Sequence, residues 1–175
     1  MCSADTAQRD VSPPHPVRTA LNEKRISLAV RSRRGHLSRI KILLADDHPR
    51  FPDMVQGFLE PLFEVIGKVT NGRDLLAAAM SLKPDVIVTD ISMPVLNGIN
   101  AANQLKELGC TSRIVFLTVH SDSDFIRAGL ATGAFAFVVK SQLTTDLMLA
   151  IREAIAGHIF ISPHLARESE RGGAS

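Results

Sequence analysis

Residues 43–48, LLADDH, and residues 86–94, VIVTDISMP, share a design: each is an apolar run that stops at a carboxylate. Apolar runs without alternation belong to strands buried on both faces, as in a parallel sheet. These two deliver Asp46, Asp47 and Asp90 to strand ends.

Outward from them, the chain alternates strand and helix signals from Ile40 onward. IKILLA reads as the first strand. Phe51, Met54, Val55, Phe58 and Leu59 recur at i, i+3, i+4, i+7 and i+8, one face of a helix. FEVIGKVT is a second strand, Asn71-Gly72 a turn, and Leu75, Leu76, Ala79 and Met80 a second helix stripe that Pro84 stops. DVIVTD is the third strand. Ala102, Leu105 and Leu108 mark a third helix closed by Gly109, and RIVFLT is the fourth strand. A short helix over Asp124–Leu130 precedes AFAFVVK, the fifth strand. Thr144 or Thr145 caps a last helix with Leu147, Ala150, Ile151, Ala154 and Ile155 inward. Five strand–helix units predict an α/β fold, a parallel sheet with helices on each side. No internal repeat is visible.

The 175 residues suit about one domain. At 45% hydrophobic and 22% charged, the composition supports a real core. The longest apolar runs, such as Ile114–Leu117, fall far short of the roughly 20 residues that span a bilayer, so no membrane contact is expected. Cys2 and Cys110 have no metal-like spacing, which fits a reducing, cytoplasmic setting.

The net charge of +2 hides an asymmetry. Residues 1–39 hold eight Lys/Arg against three Asp/Glu, whereas residues 40–175 hold twelve against fifteen. The domain is mildly acidic, and no direct DNA binding is expected of it. Residues 1–39 read as a disordered basic tail, broken by VSPPHP and carrying RSRRGHLSR. Three readings stay open: a solvated tail or a start placed too early, a basic arm on nucleic acid or anionic lipid, and a targeting segment with a faint transit-peptide character.

In open parallel sheets, ligands bind outside the carboxyl ends of the strands. The first strand ends at Asp46-Asp47, the third at Asp90, the fourth at Thr118 and the fifth at Lys140. Crowded carboxylates repel one another unless a cation neutralises them. All-oxygen ligands favour a hard cation, and Mg2+ fits because it leaves room for a phosphate. Held by Asp46 and Asp47, it would screen Asp90, leaving that carboxylate to act as a nucleophile and form an aspartyl phosphate. Lys140 is a compact charge suited to one phosphoryl oxygen, and the Thr118 hydroxyl to another. Any one of these residues alone is an ordinary strand-end polar group; the combination points to phosphoryl transfer, which needs positioning and electrostatics.

LLADDHPRF, IVTDISMPVLNG, FLTVH and AFAFVVKS, in that order and spacing, resemble the receiver domain of two-component response regulators, from about Ile40 to His158. The resemblance implies a flavodoxin-like, doubly wound, five-stranded parallel sheet of order 2-1-3-4-5 with five helices. It implies Mg2+-dependent transfer from a histidine kinase or histidine phosphotransfer protein to Asp90, then slow hydrolysis, with no activity beyond this self-catalysed chemistry. It makes Asp47 the direct metal ligand and Asp46 a helper through the metal or its water. Asp90 and the backbone carbonyl of Ser92 complete the protein ligands, and Thr118 and Lys140 contact the phosphoryl group. Phe137 stands at the aromatic switch position, with an ordinary sheet residue as the equal alternative; lacking a hydroxyl, it would work by packing. Thr118 moving towards the phosphoryl group and Phe137 turning inward would reshape the face of the fourth helix, fifth strand and fifth helix.

Ser92 and His120 fall where the family tunes autodephosphorylation, though an idle imidazole at 120 is as good a reading. His48 reads as a helix-start residue, not a ligand. Ser141 replaces a proline that many receivers carry with a cis peptide. A cis bond before serine would cost about 3 kcal/mol, which leaves that loop's geometry open.

AIREAIAGHIFISPHLARE resembles the receiver of NarL/FixJ-type regulators, where a linker leads into a DNA-binding helix-turn-helix. The expected organisation is a receiver over 40–158 and a short linker-like tail over 159–175, without an output domain. Two readings follow: a single-domain receiver signalling by contact with an unknown downstream protein, or a truncated transcriptional regulator. Homodimerisation through the first and fifth helices or the fourth-helix face stays open. A haloacid-dehalogenase-type phosphatase would need a second acid where Ser92 stands, and a dinucleotide-binding domain a glycine-rich turn where DDHPRF stands. A degenerate, unphosphorylated receiver serving as an interaction module is the remaining rival.

Overall fold

The computed structural model describes residues 30–31, 37–119 and 123–166. His120, nearly all of the basic tail and residues 167–175 lie outside the described residues. A two-residue antiparallel pairing of Val30–Arg31 with Leu37–Ser38 precedes the main sheet.

The main sheet has strands β1 (Lys41–Ala45), β2 (Glu64–Val69), β3 (Val86–Asp90), β4 (Arg113–Thr118), β5 (Ala136–Val139) and β6 (Phe160–Ile161). Their order is β2-β1-β3-β4-β5-β6, and every pairing is parallel. The helices are α1 (Phe51–Leu59), α2 (Gly72–Leu82), α3 (Gly98–Glu107), α4 (Ser123–Ala131) and α5 (Leu143–Ala156). The five expected strands stand in the expected flavodoxin-like order. The sheet then continues past residue 158: Gly157, at φ 85°, ends α5 and lets the chain reverse, so that Phe160–Ile161 run beside β5.

Strand side chains alternate between two apolar layers. Ile42 and Leu44 join Val55, Leu59, Leu147 and Ile151 on the side of α1 and α5. Leu43 and Ala45 join Leu75, Leu105 and Ile126 on the side of α2, α3 and α4. Each buried Leu or Ile contributes about 1.5–3 kcal/mol, so burial on both faces fixes the strands that carry the polar ends.

Local departures have physical causes. Met54 and Leu108 satisfy the helical spacing yet are more than half exposed, because each lies at the edge of its apolar stripe. Asn71-Gly72 is a helix start, not a free turn: the Asn71 side chain accepts from Asp74 N and caps α2. The last helix starts before the expected threonine cap. Lys140–Gln142 form a 3-10 turn that runs directly into α5, and Thr145 Oγ1 donates back to the Gln142 carbonyl at 2.9 Å. Among the described residues no peptide bond is cis, so Ser141 follows Lys140 through a trans bond.

Phe137 is fully buried and meets Phe116 at 5.4 Å between ring centroids, tilted by 36°. A Cβ on Gly129 of α4 would come within 2.5 Å of the Phe137 ring, so the missing side chain makes the space the ring fills. Gly129→Ala is expected to lower stability by about 1 kcal/mol, overpacking outweighing the gain in helix propensity. A urea midpoint at or above wild type would show that the ring relaxes without cost.

Candidate functional site

Four strands bring their ends together. Asp46 and Asp47 follow β1, Asp90 closes β3, Thr118 closes β4 and Lys140 follows β5. Asp46, Asp90 and Thr118 are buried, and Asp47 is exposed. Lys140 reaches over the edge. Its Nζ lies 2.8 Å from Asp90 Oδ2, donating a hydrogen bond, and 2.6 Å from Asp46 Oδ2. The second contact is an ion pair at close range but is not aligned as a hydrogen bond, so the buried Asp46 Oδ2 lacks a hydrogen-bond partner. The Asp46 charge is thus paired while its Oδ2 remains able to accept a ligand. The Lys140 ammonium also lies 4.6 Å from the centre of the Phe51 ring, a cation–π contact from the first turn of α1.

One ammonium against three carboxylates leaves the cluster negative. Ligand atoms of Asp46, Asp47, His48 and Asp90 lie within 4.8 Å of one another. An oxygen-rich cluster with a buried acceptor still open fits a hard divalent cation. Asp46, Asp47 and Asp90 would hold it. The main chain of Ser92 is beside them, its N–H donating to Asp90 Oδ1 at 3.3 Å.

His48 takes a place the sequence did not indicate. Its Nδ1 lies 2.9 Å from Asp46 Oδ1 and 3.1 Å from Asp47 Oδ1, and its backbone N–H also donates to Asp46 Oδ1 at 2.9 Å. It bridges the acidic pair instead of serving only the helix start. Phe51 counted as helix-stripe residue, and nothing in the spacing revealed its second contact with Lys140. The aromatic candidate Phe137 lies in the apolar layer behind the site, not at the cluster itself.

The loop from Ile91 to Asn97 is fastened behind the acceptor. Gly98 N donates to Ile91 O at 2.9 Å and Gly72 N to Leu96 O at 3.0 Å. Val95 lies at φ 68° and is three-quarters exposed, in a tight turn closed by Leu96 N donating to Pro94 O at 2.7 Å. A β-branched residue in this region is strained, and such strain persists where the surroundings enforce it.

Comparison with known proteins agrees with this geometry. The model of the response regulator receiver domain matches residues 42–152. The chain therefore belongs to the response regulator receiver family. The uncharacterized transcriptional regulatory protein YvfU of Bacillus subtilis (strain 168) is 33% identical over 132 residues, 72% of this chain and 64% of that protein. The nitrate/nitrite response regulator protein NarL of Escherichia coli (strain K12) is 33% identical over 126 residues, 71% of this chain and 58% of that one. The chain thus spans about three fifths of the length of these relatives. Among solved structures, a two-component response regulator of the LuxR family from Aurantimonas sp. SI85-9A1 matches with a TM-score of 0.74 at 27% identity, covering 79% of this chain and 100% of that chain. The isolated REC domain of RcsB from Salmonella enterica serovar Typhimurium, in the presence of the phosphomimetic BeF3-, matches with a TM-score of 0.68 at 25% identity, covering 74% and 98%.

Proposed function

We propose that this chain accepts a phosphoryl group on Asp90 from a phosphohistidine, in a magnesium-dependent reaction, and signals the change through its surface. The observation that carries this reading is the contact of Lys140 with both Asp46 and Asp90 beside the exposed Asp47. An Asp90 carboxylate oxygen attacks phosphorus; the P–O bond forms as the P–N bond breaks, and the imidazole of the donor keeps the electron pair and takes up a proton. Lys140 holds charge that develops on a phosphoryl oxygen, and Thr118 offers its hydroxyl from the end of β4. Mg2+ at Asp46, Asp47, Asp90 and the Ser92 carbonyl would neutralise the cluster and bind a phosphoryl oxygen. Ser92, exposed two residues past Asp90, would tune the later hydrolysis of the acyl phosphate.

A histidine kinase or histidine phosphotransfer protein would be the donor, in the cytoplasm. Downstream, two readings have support. The acidic domain suits signalling by protein contact, whereas the greater length of NarL and of YvfU, a transcriptional regulatory protein, favours the receiver portion of a longer transcriptional regulator. Phe137 already packs inward, so switching would act through the Thr118 end of β4 and α4 together with the ring's cavity.

The test is intact mass after incubation with a small phosphodonor, with Mg2+ or with chelator, for wild type and Asp90→Asn. One phosphoryl adduct that needs both Mg2+ and Asp90 is expected. No adduct in wild type would leave the fold as an interaction module.

A further inference from the structure

The chain beyond α5 does not leave the domain at once. Phe160 N donates to Phe135 O at 2.8 Å and Ser162 N to Phe137 O at 2.9 Å, which extends the sheet. Leu165 is fully buried in the apolar layer that also holds Phe137 and Ile126. Ala166 N donates to Ser162 O at 3.2 Å, closing a turn after β6. Residues 160–166 therefore form a strap over the edge of β5.

A polar anchor of the strap, Ser162, is fully buried. Ser162 Oγ donates to Asp146 Oδ2 on the first turn of α5 at 2.6 Å and accepts from Val139 N at 3.3 Å. Val139 is the last residue of β5, and Lys140 follows it. Beyond the end of β6 no backbone carbonyl continues the ladder there, so a side-chain hydroxyl takes its place. Asp146 fixes the direction of that hydroxyl: with its proton committed to the carboxylate, the oxygen presents a lone pair to Val139 N–H.

We propose that Ser162, held by Asp146, is a positioning residue for Lys140, and that through it the C-terminal strap and the Asp90 site are energetically coupled. The inference rests on the phosphoacceptor reading. The backbone that carries Lys140 leaves the sheet at Val139; without the Ser162 acceptor, its last ladder donor is unpaired and the ammonium loses its fixed starting point. Coupling between two sites is reciprocal: whatever factor the strap contributes to ligand affinity at Asp90, the ligand returns as strap stability.

The experiment uses beryllofluoride with Mg2+ as the probe on the full chain, followed by 19F resonance for affinity and by amide exchange for the strap. Beryllofluoride is expected to slow exchange over residues 160–166. Ser162→Ala is expected to weaken beryllofluoride binding about fivefold, the order of one lost hydrogen bond. Asp146→Ala, which keeps the hydroxyl but frees its proton, is expected to weaken it about twofold, and Asp146→Asn less, since the amide oxygen still accepts. A structural role alone would lower the unfolding midpoint and leave affinity and the exchange response untouched; that result overturns the proposal. Should Ser162→Ala fail to fold, the Asp146 pair and the wild-type exchange response decide alone. Wild type that binds no beryllofluoride sinks the phosphoacceptor reading itself, whereas equal binding by wild type and variants removes only the coupling.

Discussion

Lys140→Met is expected to lose about 3 kcal/mol of stability in the absence of divalent cations, because it strips the counter-charge from buried carboxylates. Asp46 and Asp90 are 3% and 4% exposed at their side chains, and Lys140 is the cation in contact with both. Breaking a buried ion pair by removing one partner costs more than the pair contributes, since the remaining charge stays desolvated. Methionine keeps the length and apolar contacts of the stem, so the loss reports charge. Saturating Mg2+ should return most of it: a ligand at a hundredfold excess over its Kd stabilises by about 2.7 kcal/mol. The gain should exceed that of wild type, where the ammonium competes with the cation for the same oxygens. Asp90→Asn has the opposite sign, relieving like-charge repulsion, and in combination with Lys140→Met should recover much of the loss. The chain has no Trp and no Tyr, so urea unfolding is best followed by far-UV circular dichroism. A Lys140→Met variant as stable as wild type without Mg2+ would mean that the three groups do not share one charge balance. Its phosphorylation should be abolished in any case, the ammonium being the side-chain cation held against the phosphoacceptor among the described residues.

The strands and their polar ends were legible because both signals are local. An unbroken apolar run needs no partner to be recognised, and Asp46, Asp47, Asp90, Thr118 and Lys140 each stand at the point where a run stops. Parallel order then brings the ends to one edge. What was not legible depends on contacts distant in sequence or on space. His48 looks like any residue before a helix until its ring is seen between two carboxylates. Gly129 looks like a weak point in a helix; only the Phe137 ring beside it gives the missing Cβ a purpose. Phe160–Ile161 are too short to announce a strand, and β6 exists because Gly157 turns the chain back onto an edge with unpaired donors and acceptors. Ser162 and Asp146 are 16 residues apart, and their hydrogen bond follows from that reversal.

Gly98→Ala should be a severely damaging single-methyl addition directly behind the acceptor, with an expected loss of 3 kcal/mol or more, about the upper end of overpacking costs. The glycine opens α3 directly behind the acceptor. A Cβ there would lie 2.1 Å from the Asp90 carbonyl oxygen, 3.1 Å from its carbon and 3.2 Å from Ile91 Cα. Those atoms are backbone, so no rotamer can yield. Relief requires α3 to back away from β3, which would break the Gly98 N–H bond to Ile91 O and disturb a helix whose Ala101, Ala102 and Leu105 are fully packed. The alternative is to move Asp90 itself, and the contact with Lys140 with it. Either path joins stability to chemistry: the variant should unfold at lower urea and, where folded, accept phosphate more slowly per folded molecule. Exposed Gly57 on α1 is the control, with open space around its missing Cβ. Gly57→Ala should gain up to about 1 kcal/mol through helix propensity and leave phosphorylation unchanged. Equal stability changes in the two variants would mean that the acceptor loop tolerates a displacement of about an ångström, the shift needed to relieve a 2.1 Å contact, and that the close approach of α3 to Asp90 is not what holds the site.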